Sequence, residues 1–326
     1  MSEAENTDNN QIIDPQLRPV SWDEYIGQQS IKDNLQVLLG AAKKRGQQPE
    51  HLLFYGPPGL GKTTISHLIA KETGAGMKTT SGPAIERVGD LASILTNLAS
   101  GEILFIDEIH RLNKNIEEVL YPAMESGVLD IIIGKGPSAR TIQLDIPPFT
   151  LIAATTKVAA LSAPLRSRFS GGVFKLEFYT ETEIAKILRQ SAAKLGIEIE
   201  DDAVNEIAKR SRYTPRTANY FLKRARDYAE MKDTAIDQES VLEALGMIGV
   251  DEIGLRQTDR DVLLAIIEKF GGGPVGVKTI ATATHEEIDS VESVIEPYLI
   301  QKGLLELTSR GRVATPAAYA HFGIEN

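Results

Sequence analysis

A loop rich in glycine and proline lies between an apolar run and a helical pattern near residue 60. The segment FYGPPGLGKTT covers residues 54–64 and places Gly56, Gly61, Lys62 and Thr63 at the spacing G-x-x-x-x-G-K-[ST]. Glycines let the backbone N–H groups of such a loop surround phosphate oxygens, at a helix N-terminus whose dipole favours an anion. Lys62 then reaches the outer phosphates, and the Thr63 hydroxyl binds Mg²⁺. The spacing favours a nucleoside triphosphate site over an ordinary glycine-rich turn.

Two neighbouring carboxylates follow the next buried apolar run. Residues 103–106 read ILFI, and Asp107 and Glu108 come directly after them. At the end of a buried strand, Asp107 can hold Mg²⁺ through water, and Glu108 can polarise an attacking water molecule. The alternative is an acidic helix start. Because the phosphate loop lies upstream, we favour the hydrolytic interpretation.

Polar groups suited to the same reaction occur in two segments further along the chain. The run LIAATT ends in Thr155 and Thr156, which either orient the attacking water or simply terminate a strand. The segment APLRSRF then carries Arg166 and Arg168. These arginines are either solvated surface groups or a finger that reaches the nucleotide of a neighbouring subunit, since the planar fork of Arg donors matches phosphate.

Short apolar runs and helical patterns indicate the elements that position these residues. Residues 52–55, 102–110 and 149–156 are apolar and flanked by loops or helical patterns, as is typical of buried parallel strands. The order strand, loop, helix predicts an α/β fold with a helix-covered parallel sheet. Amphipathic patterns from about residue 180 to residue 250 then predict a small all-helical domain.

A third unit begins near residue 254 and has the element order of a winged helix. The helical pattern DRDVLLAIIEKF, the turn GGGPVG and two short helices precede two short strands around TSRG. At the tip, Arg310 and Arg312 stand beside a Ser, a Thr and a tight Gly turn, which suits a wing that contacts DNA phosphates. Acidic side chains outnumber basic ones in this unit, so a protein-binding winged helix is the alternative.

An insertion at about residues 128–146 reads as a β-hairpin. Ile142, Leu144 and Ile146 alternate with polar residues, and GKGPS supplies a turn. One face of the hairpin is therefore apolar. An exposed apolar face of this kind requires a cover, which is either the hairpin's own domain or a partner protein.

The densest basic stretch lies within the predicted helical domain. Its members are Lys209, Arg210, Arg212, Arg216, Lys223, Arg224 and Arg226. Because helices often carry solvated basic faces, we interpret the stretch, apart from Arg216, as a solvated face or a subunit contact rather than a DNA track.

Composition limits the classes of protein to be considered. A chain of 326 residues with 42% apolar residues suits two or three globular domains. The formal net charge of −10 provides no overall positive field, so any contact with nucleic acid is local. The absence of cysteine excludes disulfides and thiolate chemistry, and no apolar run is long enough to span a bilayer. The acidic, polar start predicts a disordered leader and a cytoplasmic protein with no membrane partner.

These motifs, in this order, resemble the AAA+ ATPases and, from residue 17 to residue 323, the RuvB family of bacterial Holliday-junction branch-migration motors. The segments that carry the resemblance are LRPVSWDEYIGQ, GPPGLGKTT, DEIHRLN, GPSARTIQLDIPPFTLIAATT, LRSRF, LEFYT, GGGPVG and IEPYLIQKGLL. The resemblance implies a disordered leader (1–16), an AAA+ P-loop ATPase domain (17–179), an all-helical lid (180–253) and a C-terminal winged-helix DNA-binding domain (254–326).

The resemblance also assigns roles to individual residues, with ATP and Mg²⁺ as ligands. Asp107, Glu108, the sensor Thr156 and the arginine finger Arg168 are the catalytic group. Leu17 and Arg18 line the adenine side, Tyr179 packs near it, and Arg216 senses the γ-phosphate from the lid. The complete nucleotide-binding set is Leu17, Arg18, Gly59, Gly61, Lys62, Thr63, Thr64, Tyr179 and Arg216.

The resemblance implies partners as well. They are double-stranded DNA at Holliday junctions, RuvA on the hairpin face of Ile142, Leu144 and Ile146, further copies of the chain in a hexameric ring, and the resolvase RuvC. An ATP-driven DNA translocase is the main interpretation. The alternative is an initiator-like ATP switch that clamps DNA. A protein remodeller is disfavoured, because no aromatic-Val-Gly pore loop lies between the phosphate loop and Asp107.

Overall fold

The structure, a computed structural model, describes residues 15–133 and 140–325 of the chain. Most of the predicted leader and the predicted hairpin turn GKGPS lie outside the described residues.

The described residues divide into two units. The sheet unit consists of Pro19–Gly56 and Gly61–Glu177. The helical unit consists of residues 15–18, the four residues Pro57–Leu60 and residues 178–325. The middle of the phosphate loop therefore belongs to the helical unit, whereas Lys62, Asp107 and Glu108 belong to the sheet unit.

A parallel sheet forms the centre of the sheet unit. The strands are β1 (Leu52–Tyr55), β2 (Met77–Ser81), β3 (Ile103–Asp107), β4 (Val128–Ile133), β5 (Arg140–Asp145), β6 (Thr150–Thr155) and β7 (Gly172–Lys175). Five of them form the sheet in the order β2-β3-β6-β1-β7, and every neighbouring pair is parallel. The carboxyl ends of β1, β3 and β6 therefore meet at one edge, which is where ligands bind in open α/β sheets.

The three central strands coincide with the apolar runs of the sequence, so this prediction is confirmed. Residues of β6 are buried throughout, because helices cover both faces of the sheet at its centre. Sequence reasoning missed β2 and β7. Both lie at the edges of the sheet, and their half-polar sequences MKTTS and GVFK produce no continuous apolar run.

Helices of the sheet unit begin and end at residues suited to these positions. They are α1 (Gln29–Arg45), α2 (Lys62–Thr73), α3 (Val88–Thr96), α4 (Lys114–Ser126) and α5 (Ala163–Ser167). The Asn113 side chain accepts the Ile116 N–H and caps α4, and the Ser162 hydroxyl accepts the Leu165 N–H and caps α5. On one face of the sheet, α3 and α4 pack on a core that includes Leu104, Ile106 and Leu120.

The helical unit contains the lid and the winged helix. The lid helices are α6 (Glu181–Leu195), α7 (Asp201–Arg210), α8 (Pro215–Lys232) and α9 (Gln238–Met247). Thr180 and Glu183 form a capping box at α6, and Thr214 caps α8 ahead of Pro215. No helix of the described residues is long and apolar enough to cross a membrane.

Winged-helix elements follow in the predicted order. They are α10 (Gln257–Leu264), α11 (Val277–Thr284), α12 (Ile288–Ser290), α13 (Glu296–Gln301), β8 (Leu305–Thr308), β9 (Gly311–Ala314) and α14 (Pro316–Phe322). Strands β8 and β9 pair antiparallel and form the wing, with Arg310 in the turn between them. A separate core, which includes Leu263, Ile280 and Leu299, holds these helices together.

Candidate active site

The phosphate loop begins where β1 ends and leads into α2. Gly61 has φ of 97° and precedes α2. Because glycine has no side chain, this residue leaves the first N–H groups of the helix uncapped. The Lys62 side chain is buried, and its Nζ donates to the Gly56 carbonyl at 2.7 Å. Uncapped N–H groups beside a buried ammonium fit the phosphates of a nucleotide.

The chemistry of the donor set also fits Mg²⁺. Thr63 lies in the first turn of α2, and Asp107 is the last residue of β3. Mg²⁺ prefers oxygen ligands and is usually held by one or two protein groups together with substrate phosphates. Among the described residues, no group of three or more His, Cys, Asp or Glu side chains forms a separate candidate metal site.

Glu108 follows β3 and has a left-handed backbone conformation, with φ of 47°. Non-glycine residues rarely adopt this conformation, and where they do the surrounding contacts must hold it. The Asp107 Oδ1 accepts the Glu108 N–H at 2.9 Å. Two successive carboxylates therefore lie at the carboxyl end of the sheet.

Three groups hold the Glu108 carboxylate. The backbone N–H and the hydroxyl of Thr156 each donate to Glu108 Oε2 at 3.2 Å. The Nδ1 of His110 lies 3.1 Å from the same oxygen and 2.9 Å from the Thr155 hydroxyl. The predicted partners Glu108 and Thr156 are therefore brought together, in a network that also contains His110 and Thr155.

The pKa of Glu108 is lowered by this environment. Burial alone raises its pKa, but the hydrogen bond with His110, the charge of Lys62 and the hydrogen bond from the Thr156 backbone outweigh burial. Glu108 is therefore ionised at neutral pH. Sequence reasoning gave His110 no role, although its position two residues after Glu108 was a usable signal.

Arg168 lies at the C-terminal end of α5 and is held by residues of its own chain. Its Nη1 donates to the Pro164 carbonyl at 2.8 Å, and its Nη2 lies 3.1 Å from Glu125 Oε1. The guanidinium also stacks on Tyr121, with its Cζ 4.5 Å from the ring centroid. The Tyr121 hydroxyl lies 2.8 Å from the Ser162 Oγ, so this tyrosine contacts both ends of the short helix.

Predicted nucleotide residues of the helical unit gather around the middle of the phosphate loop. The Tyr179 hydroxyl donates to the Leu60 carbonyl at 3.3 Å. A Cβ on Gly59 would lie 3.2 Å from the Cβ of Arg216, so only glycine fits there without displacing Arg216. Leu17 is buried, and the carbonyl of Arg18 accepts a hydrogen bond from Lys194 of α6.

The predicted hairpin is present, but the exposure of its apolar side chains decreases from Ile142 to Ile146 at the base. Strand β4 pairs antiparallel with β5, with Ile131 opposite Ile142 and Leu129 opposite Leu144. Ile142 is 43% exposed, Leu144 is partly buried and Ile146 is 6% exposed. The expectation of one exposed face is thus wrong for Ile146. This residue lies at the base of the hairpin, where its N–H donates to the Gly127 carbonyl and its side chain joins the core.

The two arginines of the wing have different environments. Arg310 is exposed in the turn. Arg312 on β9 donates from Nε and Nη2 to the two carboxylate oxygens of Glu296, at 2.7 and 3.0 Å. This hydrogen bond raises the pKa of Arg312.

Two members of the basic stretch are not solvated, so that interpretation is wrong for them. Arg210 and Arg212 are each 7% exposed. Arg210 pairs with Glu206 and Arg212 with Asp259. By contrast, Arg224 and Arg226 lie nearer the surface and pair with Asp227 of the same helix.

Comparison with known proteins covers nearly all of the chain. Residues 17–175 match the family model of the Holliday junction DNA helicase RuvB P-loop domain, residues 179–251 that of the RuvB AAA lid domain, and residues 252–323 that of the RuvB C-terminal winged-helix domain.

Individual relatives are similar over the same length. The Holliday junction branch migration complex subunit RuvB of Dehalococcoides mccartyi (strain CBDB1) is 56% identical over 313 residues, which are 96% of this chain and 89% of the relative. The solved structure of the Thermotoga maritima RuvB Holliday junction branch migration motor is 46% identical, with a TM-score of 0.88 over 95% of this chain and 99% of the other. A second solved structure, of a point mutant of the Thermotoga protein, gives the same coverage and identity, with a TM-score of 0.89.

Proposed function

The chain belongs to the RuvB family, the AAA+ ATPases that drive Holliday-junction branch migration, and from this premise we propose how its residues divide the work. It is an ATP hydrolase that moves duplex DNA. The observation that carries the assignment of its chemistry is the ionised Glu108, held by Thr156 and His110 at the same sheet edge as Lys62. Because all three domains match RuvB, the initiator-like switch and the remodeller are set aside.

ATP binding is assigned to the phosphate loop and α2. When ATP binds, the Lys62 ammonium donates to the outer phosphates instead of to the Gly56 carbonyl. The first N–H groups of α2 also donate to phosphate oxygens. Thr63 and Asp107 would hold Mg²⁺, whose charge would stabilise the negative phosphate oxygens. The remaining contacts of the predicted set, including Thr64, Leu17, Arg18, Tyr179 and Arg216, complete the binding of ATP.

Hydrolysis is assigned to Glu108 and to a finger from a neighbouring subunit. Glu108 accepts a hydrogen bond from the attacking water and orients it, while Thr156 and His110 keep the carboxylate in one position. Arg168 stabilises the charge that develops on the transferred phosphoryl group of the neighbour. A finger of this kind requires a ring, and we propose a hexamer.

DNA and protein partners are assigned to separate surfaces. The exposed Arg310 contacts DNA phosphates, because a motor that moves along any sequence cannot depend on base edges. RuvA covers the hairpin at Ile142 and Leu144, and RuvC acts on the same junction. We also propose cytoplasmic localisation and the domain boundaries 17–179, 180–253 and 254–326.

Electron microscopy with duplex DNA and a non-hydrolysable ATP analogue tests the ring motor. We expect closed rings threaded by DNA for the wild type, together with ATP-dependent migration of a synthetic four-way junction. Lys62→Ala is the matched control and should show no migration. Sequence-dependent binding without movement would contradict the motor and favour an ATP-controlled clamp.

The hairpin is tested by substitutions at its tip and its base. Ile142→Asp should leave basal ATP hydrolysis unchanged and abolish the stimulation of branch migration by RuvA, since Ile142 is exposed. Ile146→Asp is the contrasting variant and should destabilise the sheet unit, since it buries a charge in the core. Normal RuvA stimulation of a folded Ile142→Asp variant would place the RuvA contact elsewhere.

A further inference from the structure

The short connection between α7 and α8 has an unusual backbone. Arg212 and Tyr213 have positive φ angles of 57° and 56°. A left-handed conformation is unfavourable for any residue that is not glycine, so two in succession require strong contacts to hold them. These contacts come from the winged-helix domain.

Arg212 binds the winged-helix domain at three points. Its Nη1 donates to Asp259 Oδ2 at 2.5 Å, and its Nη2 donates to the Val294 carbonyl at 2.8 Å. Its Cζ lies 4.4 Å from the ring centroid of Tyr298. The side chains of Arg212 and Asp259 are 7% and 0% exposed. A buried ion pair is held firmly when its geometry is good, since separating the charges leaves each one uncompensated.

Asp259 in turn fixes the start of the first winged-helix helix. The same Oδ2 that accepts from Arg212 accepts the Arg256 N–H at 2.7 Å and so caps α10. Burial and the nearby charge of Arg212 lower the pKa of Arg256. The N-terminus of α10 is therefore tied electrostatically to one lid residue.

Tyr213 and Gly254 reinforce this contact between the lid and the winged helix. The Tyr213 ring centroid lies 6.1 Å from that of Tyr298, and Lys302 Nζ lies 4.8 Å from the Tyr213 ring. Gly254, with φ of 86°, packs so closely that a Cβ there would lie 2.5 Å from the Arg210 carbonyl oxygen. In agreement, the lid and the winged helix belong to one compact unit.

The same connection contacts the phosphate loop. Thr214 caps α8, and a Cβ on Gly59 would lie 3.4 Å from the Cβ of Thr214 and 3.2 Å from that of Arg216. Only Tyr213 therefore lies between the winged-helix anchor Arg212 and Thr214, the first of these loop contacts. The Arg216 N–H also donates to the Gly59 carbonyl at 3.5 Å, so a shift of Gly59 is passed to the start of α8.

We propose that Arg212 is a positioning residue that couples nucleotide binding at the phosphate loop to DNA binding by the winged-helix domain. The inference rests on the proposed function, in which ATP occupies the loop and the wing contacts DNA. Displacement of the loop moves the connection between α7 and α8, and the Arg212–Asp259 pair moves α10 with it. The DNA-binding surface follows as a rigid body.

Thermodynamic coupling measures this role directly. The quantity is the ratio of the DNA Kd without nucleotide to the Kd with a non-hydrolysable ATP analogue, on rings whose assembly is verified by mass photometry. Coupled sites typically differ about 5–150-fold, and the wild type should fall in this range. Arg212→Gln and Asp259→Asn should bring the ratio close to one while the Kd without nucleotide stays close to that of the wild type.

Control variants separate coupling from simple loss of stability. Tyr298→Phe removes the hydroxyl that donates to the Ile253 carbonyl but retains the ring beneath Arg212, so it should lower Tm and keep the ratio. Arg212→Lys keeps a positive charge near Asp259 but loses the guanidinium N–H that donates to the Val294 carbonyl. This variant should therefore retain part of the coupling. If Arg212→Gln does not fold, Asp259→Asn decides, since it keeps the size of the side chain.

Distances between spin labels supply a second readout. The chain has no cysteine, so Glu230→Cys on α8 and Lys278→Cys on α11 introduce the only labelling sites, both exposed. Rings diluted with unlabelled subunits should give a narrow distance distribution in the wild-type background and a broad one with Arg212→Gln.

The outcomes distinguish the inference from the function on which it rests. A wild-type ratio of one would overturn the ATP-coupled motor and the inference together. A wild-type ratio of about 5 or more that survives in folded Arg212→Gln and Asp259→Asn would overturn the inference alone. Equal loss of coupling in Tyr298→Phe would also overturn it, because any destabilising change would then have the same effect.

Discussion

The charged groups at the carboxyl end of β3 and those at the junction of the lid and the winged helix are held in opposite ways. Both places contain a left-handed residue, Glu108 in one and Arg212 in the other. The Glu108 side chain is 33% exposed, whereas Asp259, the partner of Arg212, is fully buried. The first charge remains accessible to a water molecule. The second charge is buried, and it stabilises the contact between the lid and the winged helix.

Exposure to solvent therefore distinguishes charged side chains that take part in the reaction from charged side chains that stabilise the fold. This distinction predicts two different effects. Removal of an exposed charge should lower activity at constant Tm, whereas removal of a buried charge should lower Tm. Lys62 stands against the pattern, since it is buried although it is assigned to phosphate binding.

The largest effect is expected from the finger and the phosphate-loop lysine. Arg168→Ala should lower kcat for ATP about 1,000-fold or more, as does removal of an arginine finger elsewhere. Lys62→Ala should abolish hydrolysis as well. Mixed rings of the two variants should regain activity, because some interfaces combine an intact loop with an intact finger. Inactive mixed rings, once co-assembly is shown, would transfer the role of finger to another residue such as Arg166.

A slightly smaller effect is expected at the accessible carboxylate. Glu108→Gln should lower kcat about 100- to 1,000-fold, since it removes the group that polarises water and keeps the side-chain shape. Binding of a fluorescent ATP analogue and Tm should both stay close to wild type. A drop in Tm as large as that measured for Asp259→Asn would contradict this distinction, since Glu108 would then be a structural charge.

The two wing arginines repeat the comparison within one hairpin. Arg310→Ala should weaken binding to all DNA sequences severalfold and lower the log-log salt slope by about 0.9 for each phosphate that is no longer bound. Arg312→Ala should instead destabilise the winged helix by about 2 kcal/mol, since it removes the two guanidinium hydrogen bonds to the buried Glu296 carboxylate. A salt titration and a urea melt of each variant measure the two effects. An unchanged slope for Arg310→Ala would rule this residue out as a DNA ligand.

The smallest effect is a displacement of the acid limb of the pH profile. The pKa of Glu108 is lowered from its ordinary value, so the ionised form persists as pH falls and is lost at more acidic pH than for an ordinary glutamate. His110→Ala removes the strongest lowering influence and leaves burial, which raises the pKa. The fall of kcat should therefore begin at higher pH in this variant. Identical acid limbs, with both proteins folded by circular dichroism, would show that His110 does not control the carboxylate.

The sequence predicted the elements whose burial is uniform. Strands β1, β3 and β6 lie at the centre of the sheet, and their apolar runs predicted them correctly. The edge strands β2 and β7 are polar on one side and were missed. The phosphate loop was likewise predicted from a short local spacing, and the match to the P-loop domain agrees with it. The catalytic roles of Asp107 and Glu108, read from the same kind of local pattern, stay predictions.

Long-range polar pairs were beyond sequence reasoning. Arg312 and Glu296 are 16 residues apart, and Arg212 and Asp259 are 47 residues apart, so no local spacing connects them. Both arginines therefore looked like solvated or DNA-contacting groups. Folding decides which of several acidic residues meets each arginine, and that choice depends on tertiary packing rather than on periodicity.

The edge strands of the sheet unit also bear on the solubility of the protein. A strand at a sheet edge has unpaired N–H and C=O groups on one side and can pair with a strand of another molecule, which leads to aggregation. Each of the two edge strands here carries a lysine, Lys78 on β2 and Lys175 on β7. Each lysine is also paired with a glutamate on its own unit. An incoming strand would have to bury these charges, so the sheet resists extension at both edges while it folds.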